Sequence, residues 1–490
     1  MGNIQGDRAL SKDGIDRLGF KGVAERLAEA LSLGVATAGL VIGVLGRWGS
    51  GKTSLLNLTQ AAIEARDLPN QPHVVEFRPW LVGDRDSLLR ALFAEIASGI
   101  DRIEHDGGDA TGVSVRAARK AGDAVREFAS NLGGVGKVTK TAGLVVPWLG
   151  TIGAFVSDVA DAASKKNVPS LSTLKDTVSR RLKRLPRPLV VLIDDVDRLE
   201  PREVVEVLRL VRSVADFPNI TYVLGYDVDK VAHAVEVAAN VDDGHAYVEK
   251  IVQITVPVPI PEAFDLRRWF ESELSALHTV TGRPEARRIA EIIDREGGRY
   301  LVSPRAVIRT LDSIRFCWSA VKGQVDFSDF VWLQFVKVGN PALYDWIAIY
   351  LTEMAARSSG RVSISEDAII AARAKLDEVL EREGQTFNTL SDRLSEFLPG
   401  IDEDFLSEGE QTKIYGRVAE EAVQRAVNQR RLASPITIGS ISRSVRRQTL
   451  QFTRTTLLSR LRLETLRRAL RSFFPVGKTS ALPAASPKPK

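Results

Sequence analysis

A phosphate-binding pattern near the amino terminus constrains this chain more than any other feature of its sequence. Residues 46–53 read Gly-Arg-Trp-Gly-Ser-Gly-Lys-Thr, which matches the pattern GxxxxGK[ST], and they follow the continuous apolar run 38–45. Such a run is typical of a parallel strand that is covered on both faces. A strand that leads into this loop, with a helix after it, predicts a three-layer α/β fold.

Each residue type in this loop has a part in binding phosphate. Glycines let backbone N–H groups converge on phosphate oxygens, Lys52 brings a cation to the β- and γ-phosphates, and the Thr53 hydroxyl ligates Mg²⁺. The helix that begins near Lys52 directs its positive end at the anion. We therefore expect a nucleoside triphosphate with Mg²⁺ to bind at Gly46, Arg47, Trp48, Gly49, Ser50, Gly51, Lys52, Thr53 and Ser54.

A second apolar run, 189–193, ends in the acidic sequence Asp194-Asp195-Val196-Asp197-Arg198. Asp194 follows the strand directly, at the edge where ligands gather in open α/β sheets, and is predicted to hold Mg²⁺. Asp195 is predicted to orient or deprotonate the attacking water, which makes the chain a hydrolase. The alternative is that Asp195 caps the next helix, and a cap is the role expected for Asp197.

Two further positions are candidates for sensing the γ-phosphate. Asp227 ends the strand after the acidic one, where it can contact the phosphate or cap the following helix. In Ser303-Pro304-Arg305 the proline suits a first helical turn, so Arg305 can project back to the nucleotide, with Arg309 one turn later as the second choice. An ion-paired or solvated arginine is the alternative. The expected catalytic set is Lys52, Asp195 and Arg305.

Strands and helices alternate as far as residue 262, after which the pattern is helical. Strands are predicted at 38–45, 74–77, 189–193, 220–225 and 251–258. The predicted regions are a nucleotide-binding core at 1–262 with an Ala/Gly/Val-rich insertion at 101–168, a helical lid at 263–340, a helical carboxyl-terminal domain at 341–439, a basic amphipathic helix at 440–479 and a disordered tail at 480–490.

Several features bear on location. Cys317 is the only cysteine, which excludes an internal disulfide, and its apolar setting predicts a buried structural thiol in a reducing, cytoplasmic compartment. The charge-free run 141–157 has 17 residues with three glycines and Pro147. A helix of that length is short for a bilayer and its composition disfavours one, so we expect a packed hairpin or oligomer contact.

The carboxyl-terminal residues 430–490 hold fourteen Lys or Arg and one acid, which gives this segment a net charge of +13. Since the net charge of the whole chain is +5, the remainder carries −8. Leucines between 450 and 470 form one apolar helical stripe among arginines. Such a helix suits nucleic acid, an anionic membrane surface or an acidic protein groove. The alternative is that it docks on the acidic body of the chain itself.

Together these residues resemble the KAP family of P-loop NTPases, which is close to the AAA+ and STAND groups. The similarity lies in the tryptophan-containing P-loop 46–53, the element Phe77-Arg78-Pro79-Trp80, the acidic box 194–198 and the segments Tyr247–Gln253 and 303–305. The resemblance implies ATP as the nucleotide. Members of this family often carry transmembrane helices where this chain has its insertion, and bacterial relatives often act in defence against phage.

Three functions are therefore open. The first is an ATP-driven switch with slow hydrolysis, coupled to a homo-oligomer or to partner proteins, in an anti-phage system. The second is a scaffold peripheral to the membrane that binds nucleotide structurally. The third is a nucleic-acid-dependent ATPase.

Overall fold

The structure is a computed structural model of the 490-residue chain. It describes residues 4, 6–33, 39–66, 71–81, 85–106, 112–141, 171–214, 217–358, 363–382, 393–401 and 414–434. By internal contacts the chain divides into two compact units. Unit A contains residues 5–278 and 297–311, and unit B contains residues 1–4, 279–296 and 312–490.

The amino-terminal part of the chain alternates strands and helices as the sequence predicts. Five strands lie within the described ranges: β1 Leu40–Leu45, β2 His73–Phe77, β3 Leu189–Ile193, β4 Ile220–Tyr226 and β5 Ile254–Pro257. The helices are α1 Phe20–Leu33, α2 Lys52–Glu64, α3 Arg85–Asp106, α4 Gly112–Thr141, α5 Leu171–Leu182, α6 Pro201–Val214, α7 Val228–Ala239, α8 Gly244–Glu249 and α9 Ala263–Ser275.

All five strands are parallel and lie in the order β2-β3-β4-β1-β5. The order places β4 between β1, which leads into the phosphate loop, and β3, which leads into the acidic box. Because parallel strands end at one edge of the sheet, the segments that follow β1, β3 and β4 meet there. This order, rather than nearness in sequence, assembles the candidate site.

Helices cover both faces of the sheet at its centre, which explains why β1, β3 and β4 are almost wholly buried, whereas the edge strand β5 is largely exposed. On one face α1 and α2 pack on the residues of β1 and β3 that include Ile42, Val44, Val190 and Leu192. On the other face α3 to α7 pack on Val41, Val75, Val191 and Tyr222 among others. The three-layer α/β prediction is therefore confirmed.

Helix α4 lies within the segment that the sequence marks as an insertion, and it is joined to the core by aromatic contacts. The ring of Phe128 meets Phe93 of α3 edge-on with centroids 5.3 Å apart, and meets Phe217 at 5.9 Å. All three side chains are buried. The described part of the insertion is thus a layer of the α/β unit, and its alanines allow α3 and α4 to approach closely.

Unit B is helical. The remaining helices among the described residues are α10 Arg283–Tyr300, α11 Pro304–Val321, α12 Phe327–Gly339, α13 Pro341–Ser358, α14 Glu366–Glu381 and α15 Glu420–Asn428. Asp326 caps α12 by accepting the N–H of Asp329, and Ser365 caps α14 in the same way. Trp332 of α12 stacks on Phe397 with ring centroids 4.2 Å apart.

A buried carboxylate organises part of unit B. Asp329, fully buried, accepts hydrogen bonds from the guanidinium groups of Arg288 and Arg431 and from the backbone N–H of Leu432. Cys317 is half-buried rather than buried. Its Sγ lies 3.9 Å from the Lys337 ammonium, a group that has to keep access to water.

Two predicted segments fall almost entirely beyond what the structure describes. Of the apolar run 141–157 only Thr141 is described, and the basic tail after residue 434 is not described at all. Among the helices that are described, none is both long enough and apolar enough to cross a bilayer. The predictions for both segments stay predictions.

Candidate nucleotide-binding site

The loop between β1 and α2 has the backbone form that its glycines predict. Gly49 and Gly51 have φ angles of 82° and 105°, in the left-handed region where a side chain is strained. A Cβ atom at Gly46 would lie 2.4 Å from Oγ of Ser50 and 3.1 Å from Cγ2 of Val258, so a side chain here would force the loop hydroxyl to move. Gly51 precedes α2 without any side-chain cap, which leaves the first N–H groups of the helix for an external anion.

Lys52 is the first residue of α2 and its ammonium is already engaged. Nζ donates to the carbonyl oxygen of Gly46 at 2.9 Å and to Oδ2 of Asp197 at 3.1 Å. Both side chains of this ion pair are buried, at 7% and 1% exposure. The lysine therefore lies at the mouth of the loop, as predicted, but with an internal carboxylate as its partner.

The prediction that Asp197 caps the next helix is wrong. Asp197 lies in a short 3-10 turn, Val196–Arg198, and α6 begins only at Pro201. At the start of α6 the side chain of Glu203 accepts the N–H of Glu200 instead. Asp197 is too far along the chain from α6 to bind its first N–H groups, and its carboxylate turns to Lys52.

Asp194 follows β3 directly and is buried, at 8% exposure. Its Oδ1 accepts the backbone N–H of Asp195 at 2.8 Å. The neighbouring strand makes room for this carboxylate through Gly225, where a Cβ atom would come within 2.8 Å of Oδ1. Thr53, half-buried in the first turn of α2, is the other predicted Mg²⁺ ligand.

Asp195 has an unusual backbone conformation for a residue with a side chain, with φ at 60°. Its Oδ1 is 2.8 Å from Nε of Arg198, which fixes the orientation of the carboxylate. Burial raises the pKa of Asp195, and the charge of Asp194 raises it further against the opposing charge of Arg198. A higher pKa makes this carboxylate a stronger base than a solvated one.

Asp227, for which the sequence left two roles open, has its side chain in the phosphate loop. Its Oδ2 accepts the backbone N–H of Trp48 at 3.2 Å, while the side chain makes no capping bond to α7. The residue is buried. Since β4 lies beside β1, Asp227 at the end of β4 can hold the phosphate loop in place through the N–H of Trp48.

Arg305 also reaches the phosphate loop. Its guanidinium lies over the ring of Trp48, with Cζ 3.5 Å from the centroid, and its stem is 3.1 Å from where a Cβ of Gly49 would stand. The same guanidinium forms an ion pair with Asp7. Arg309, the second choice from the sequence, is exposed. Arg305 is thus both next to the loop and ion-paired, so the structure combines two of the predicted alternatives.

The start of α1 and the segment before it lie along α2, the helix that follows the phosphate loop. The ring of Phe20 is 3.2 Å from where a Cβ of Gly51 would be, so a side chain here would crowd the ring as well as strain the left-handed backbone. The Ser54 hydroxyl, predicted to take part in nucleotide binding, accepts the N–H of Leu10 at 3.0 Å, and Asn57 donates to the carbonyl of the same residue. Neither Asp7 nor Leu10 stands in a motif, so the sequence offered no signal for them.

A cleft opens beside Asp194 on the α2 side of the sheet. Two of its lining residues, Glu76 and Arg78, come from the end of β2, and Arg78 Nη2 lies 3.4 Å from Glu76 Oε2. Arg78 belongs to the Phe-Arg-Pro-Trp element, whose role the sequence left unassigned. Trp80 of the same element is half-exposed. The remaining lining residues are Leu56, Asn57, Gln60, Phe77 and Leu192.

The sequence also matches a model of a known protein family, the KAP family P-loop domain, over residues 20–319. The match covers more than half of the chain and contains every residue of the site except Asp7 and Leu10. The chain belongs to the KAP family. The resemblance drawn from the motifs is thereby confirmed.

This KAP chain is 32% identical over 418 residues to the phage T7 exclusion protein of Escherichia coli (strain K12). The match covers 81% of this chain and 54% of that protein. The KAP chain therefore spans about half the length of the curated relative that it matches.

Solved structures similar to the KAP chain include the ORC2 protein of Aeropyrum pernix in ADPNP-ADP complexes. It shares 14% identity over 79% of this chain and 87% of that one, with a TM-score of 0.34. A mutant form of Thermotoga maritima RuvB shares 15% identity over 85% and 98% of the two chains, with a TM-score of 0.30. At these scores the family assignment rests on the sequence match alone.

Proposed function

We propose that this KAP chain binds ATP with Mg²⁺, hydrolyses it slowly and uses the cycle as a conformational switch in defence against phage. The observation that carries the proposal is the meeting of Lys52, at the uncapped start of α2, with the acidic turn that follows β3. On one side are the Lys52 ammonium and the first N–H groups of α2, which can bind phosphate. On the other side are the carboxylates of Asp194, which can bind a metal ion, and Asp195, which can accept a proton.

The binding step is supported by the backbone of the loop. The N–H groups at the start of α2 and the Lys52 ammonium would hold the β- and γ-phosphates, and Asp227 would keep the loop in its anion-binding form through the N–H of Trp48. Thr53 and Asp194 would hold Mg²⁺, which would neutralise charge on the phosphate oxygens. The hard oxygen donors of these two residues fit that ion.

The hydrolytic step would fall to Asp195. In this proposal its carboxylate accepts a proton from the water that attacks the γ-phosphorus, while the bond to the leaving ADP oxygen breaks. The ion pair with Arg198 supports this role by fixing the carboxylate. A raised pKa supports it by increasing basicity.

The switch would run through Arg305. Its guanidinium joins the start of α11 to Trp48 of the phosphate loop and, through Asp7, to the amino-terminal segment. A phosphate brought into the loop would compete with both contacts, because the arginine fork suits phosphate oxygens. Nucleotide binding would then change the contacts of α11 and of the amino-terminal segment, which are distant from the phosphate loop in sequence.

The proposed role in phage defence is supported by the phage T7 exclusion protein, to which this chain is 32% identical. A nucleic-acid-dependent ATPase and a membrane-peripheral scaffold are the alternatives. Stimulation of turnover by DNA or RNA would favour the first alternative. Co-sedimentation with liposomes that is lost on deleting residues 141–157 would favour the second.

The experiment is titration of the purified chain with a fluorescent ATP analogue and Mg²⁺, together with a phosphate-release assay. We expect Lys52→Ala to abolish tight binding, because the phosphates lose their nearest cation. The control is Lys21→Ala, which removes an exposed lysine of α1 and should bind as the parent does. Equal affinity in Lys52→Ala and the parent would refute the assignment of this loop.

Limited proteolysis tests the switch separately. We expect ATP to change the digestion pattern of the parent and to change it less in Arg305→Ala, with Arg309→Ala as the control on the same helix. Patterns that do not respond to ATP in any of the three proteins would contradict a switch, even if hydrolysis were found.

A further inference from the structure

The ion pair between Lys52 and Asp197 leaves the carboxylate incompletely satisfied. Oδ2 of Asp197 is 3.1 Å from the ammonium, whereas Oδ1 is buried and has no hydrogen-bond partner among the described residues. A buried carboxylate oxygen without a donor is costly. An arrangement of the site that gives Oδ1 of Asp197 a hydrogen-bond donor would therefore be more favourable than the ion pair with Lys52.

The turn that carries Asp197 also carries the groups proposed for hydrolysis. Asp195 begins it with its left-handed backbone, Val196 anchors it as a fully buried side chain, and Arg198 ends it. Since these residues are consecutive, Asp197 cannot change its position without acting on Asp195. The contact with Lys52 is the link from the phosphate loop to this turn.

Lys52 has three N–H donors, of which one goes to Gly46 and one to Asp197. Phosphate oxygens compete for the same donors as a carboxylate does. A nucleotide that places two phosphates near this lysine therefore meets a site in which an internal anion already takes part of its binding capacity.

We propose that Asp197 is an internal competitor of the nucleotide: its carboxylate and the phosphates use the same N–H donors of Lys52, so a bound triphosphate has to displace it. The inference rests on the proposed function and adds a positioning residue to it. Displacement frees the turn 196–198, so occupancy of the phosphate loop is coupled to the placement of Asp195. Because Asp197 competes for Lys52, the affinity for nucleotide is lower than it would be without this carboxylate.

The test compares Asp197→Asn with the parent in three measurements: affinity for ATP with Mg²⁺, affinity for adenosine, and unfolding temperature with and without saturating ATP. The amide keeps the shape of the side chain and removes its charge. The matched control is Glu64→Gln, which removes an acid from the other end of α2, where it pairs with Lys12 in solvent. It separates loss of the ion pair from a change in net charge.

We expect Asp197→Asn to bind ATP about tenfold more tightly or better, a gain of about 1.4 kcal/mol for each factor of ten. Adenosine, which has no phosphate, should bind both proteins alike. The variant should unfold at a lower temperature than the parent without nucleotide, and this difference should shrink with ATP. A purely structural role would lower stability equally in both states and leave affinity unchanged.

Equal or weaker ATP binding by Asp197→Asn, with ATP binding intact in the parent, would overturn the inference and leave the proposed function standing. Failure of the parent itself to bind ATP would refute the proposed function and this inference with it. If Asp197→Asn does not fold, Asp197→Ser removes the same charge with a smaller side chain, and the same gain in affinity is required of it.

Discussion

Gly225→Ala tests whether the space around Asp194 matters for metal-dependent binding. The added Cβ would stand 2.8 Å from Oδ1 of Asp194 and 3.1 Å from Cδ1 of Leu56, whereas ordinary contacts begin at 3.4 Å. The carboxylate would have to retreat by about 0.6 Å, and the φ angle of Gly225 places no bar on alanine. Where a site depends on precise positioning, misplacing a group by about 1 Å can lower activity by about a hundredfold.

We expect Gly225→Ala to bind ATP with Mg²⁺ about 10- to 100-fold more weakly, while binding in EDTA changes little. Overpacking should also lower the free energy of unfolding by about 1–3 kcal/mol. Calorimetric titration with and without Mg²⁺ measures the first effect, and urea unfolding measures the second.

The control for overpacking is Gly99→Ala in α3, whose Cβ would stand 2.4 Å from Cγ2 of Val75. It should lose stability without losing affinity for ATP in its folded fraction. If a folded Gly225→Ala bound ATP with Mg²⁺ as tightly as the parent, Asp194 would not be the metal ligand.

Four other expectations follow from the residues described. Asp195→Asn should keep ATP affinity and lower the rate of phosphate release by about 10²–10⁴-fold, and release at the parent rate would exclude its role as base. Asp329→Ala should reduce the free energy of unfolding by about 3–5 kcal/mol in urea, because it removes the buried anion that Arg288 and Arg431 share. A loss below about 1 kcal/mol would contradict this. Burial raises the pKa of Asp16, but four backbone N–H groups outweigh it and hold this pKa below its ordinary value of 3.8. Its stabilisation is thus present above pH 3.8 and lost as pH falls further, so the stability gap between Asp16→Ala and the parent should narrow in acid, and a gap that widens there would oppose the reasoning. Removing residues 440–490 should abolish binding to DNA, RNA or anionic liposomes, and in the parent such binding should weaken steeply with salt; equal binding by the truncated chain would leave the tail as a docking helix.

Much of the α/β unit was predictable because its signals are local. The run 189–193 became β3 without a change of bounds, and the glycine pattern of 46–51 set both the loop and the start of α2. Continuous apolar runs bounded by glycine or acid leave few alternatives to a buried parallel strand. The family followed from the same short motifs.

The partners of the charged groups were not predictable, because they depend on tertiary distances. Asp197 looks like a helix cap in sequence, yet strand order places it on Lys52, 145 residues away along the chain. Asp7 lies outside any motif and reaches Arg305 across 298 residues of sequence. Periodicity gives no strand order, and without the order no pairing of this kind can be derived.

The order of the strands has a consequence for synthesis on the ribosome. β1 has its sheet partners in β4 and β5, and the bond from Val41 to Gln253 joins residues 212 apart. At about 5–20 residues per second the ribosome needs about 10–40 s to supply that length. For most of this time, until β4 has emerged, the apolar strand β1 has no partner strand, and nucleotide has no completed pocket with which to stabilise the nascent chain. We therefore expect folding yield to depend on chaperones that hold the amino-terminal third, and to respond to ATP analogues only after residue 257 has emerged.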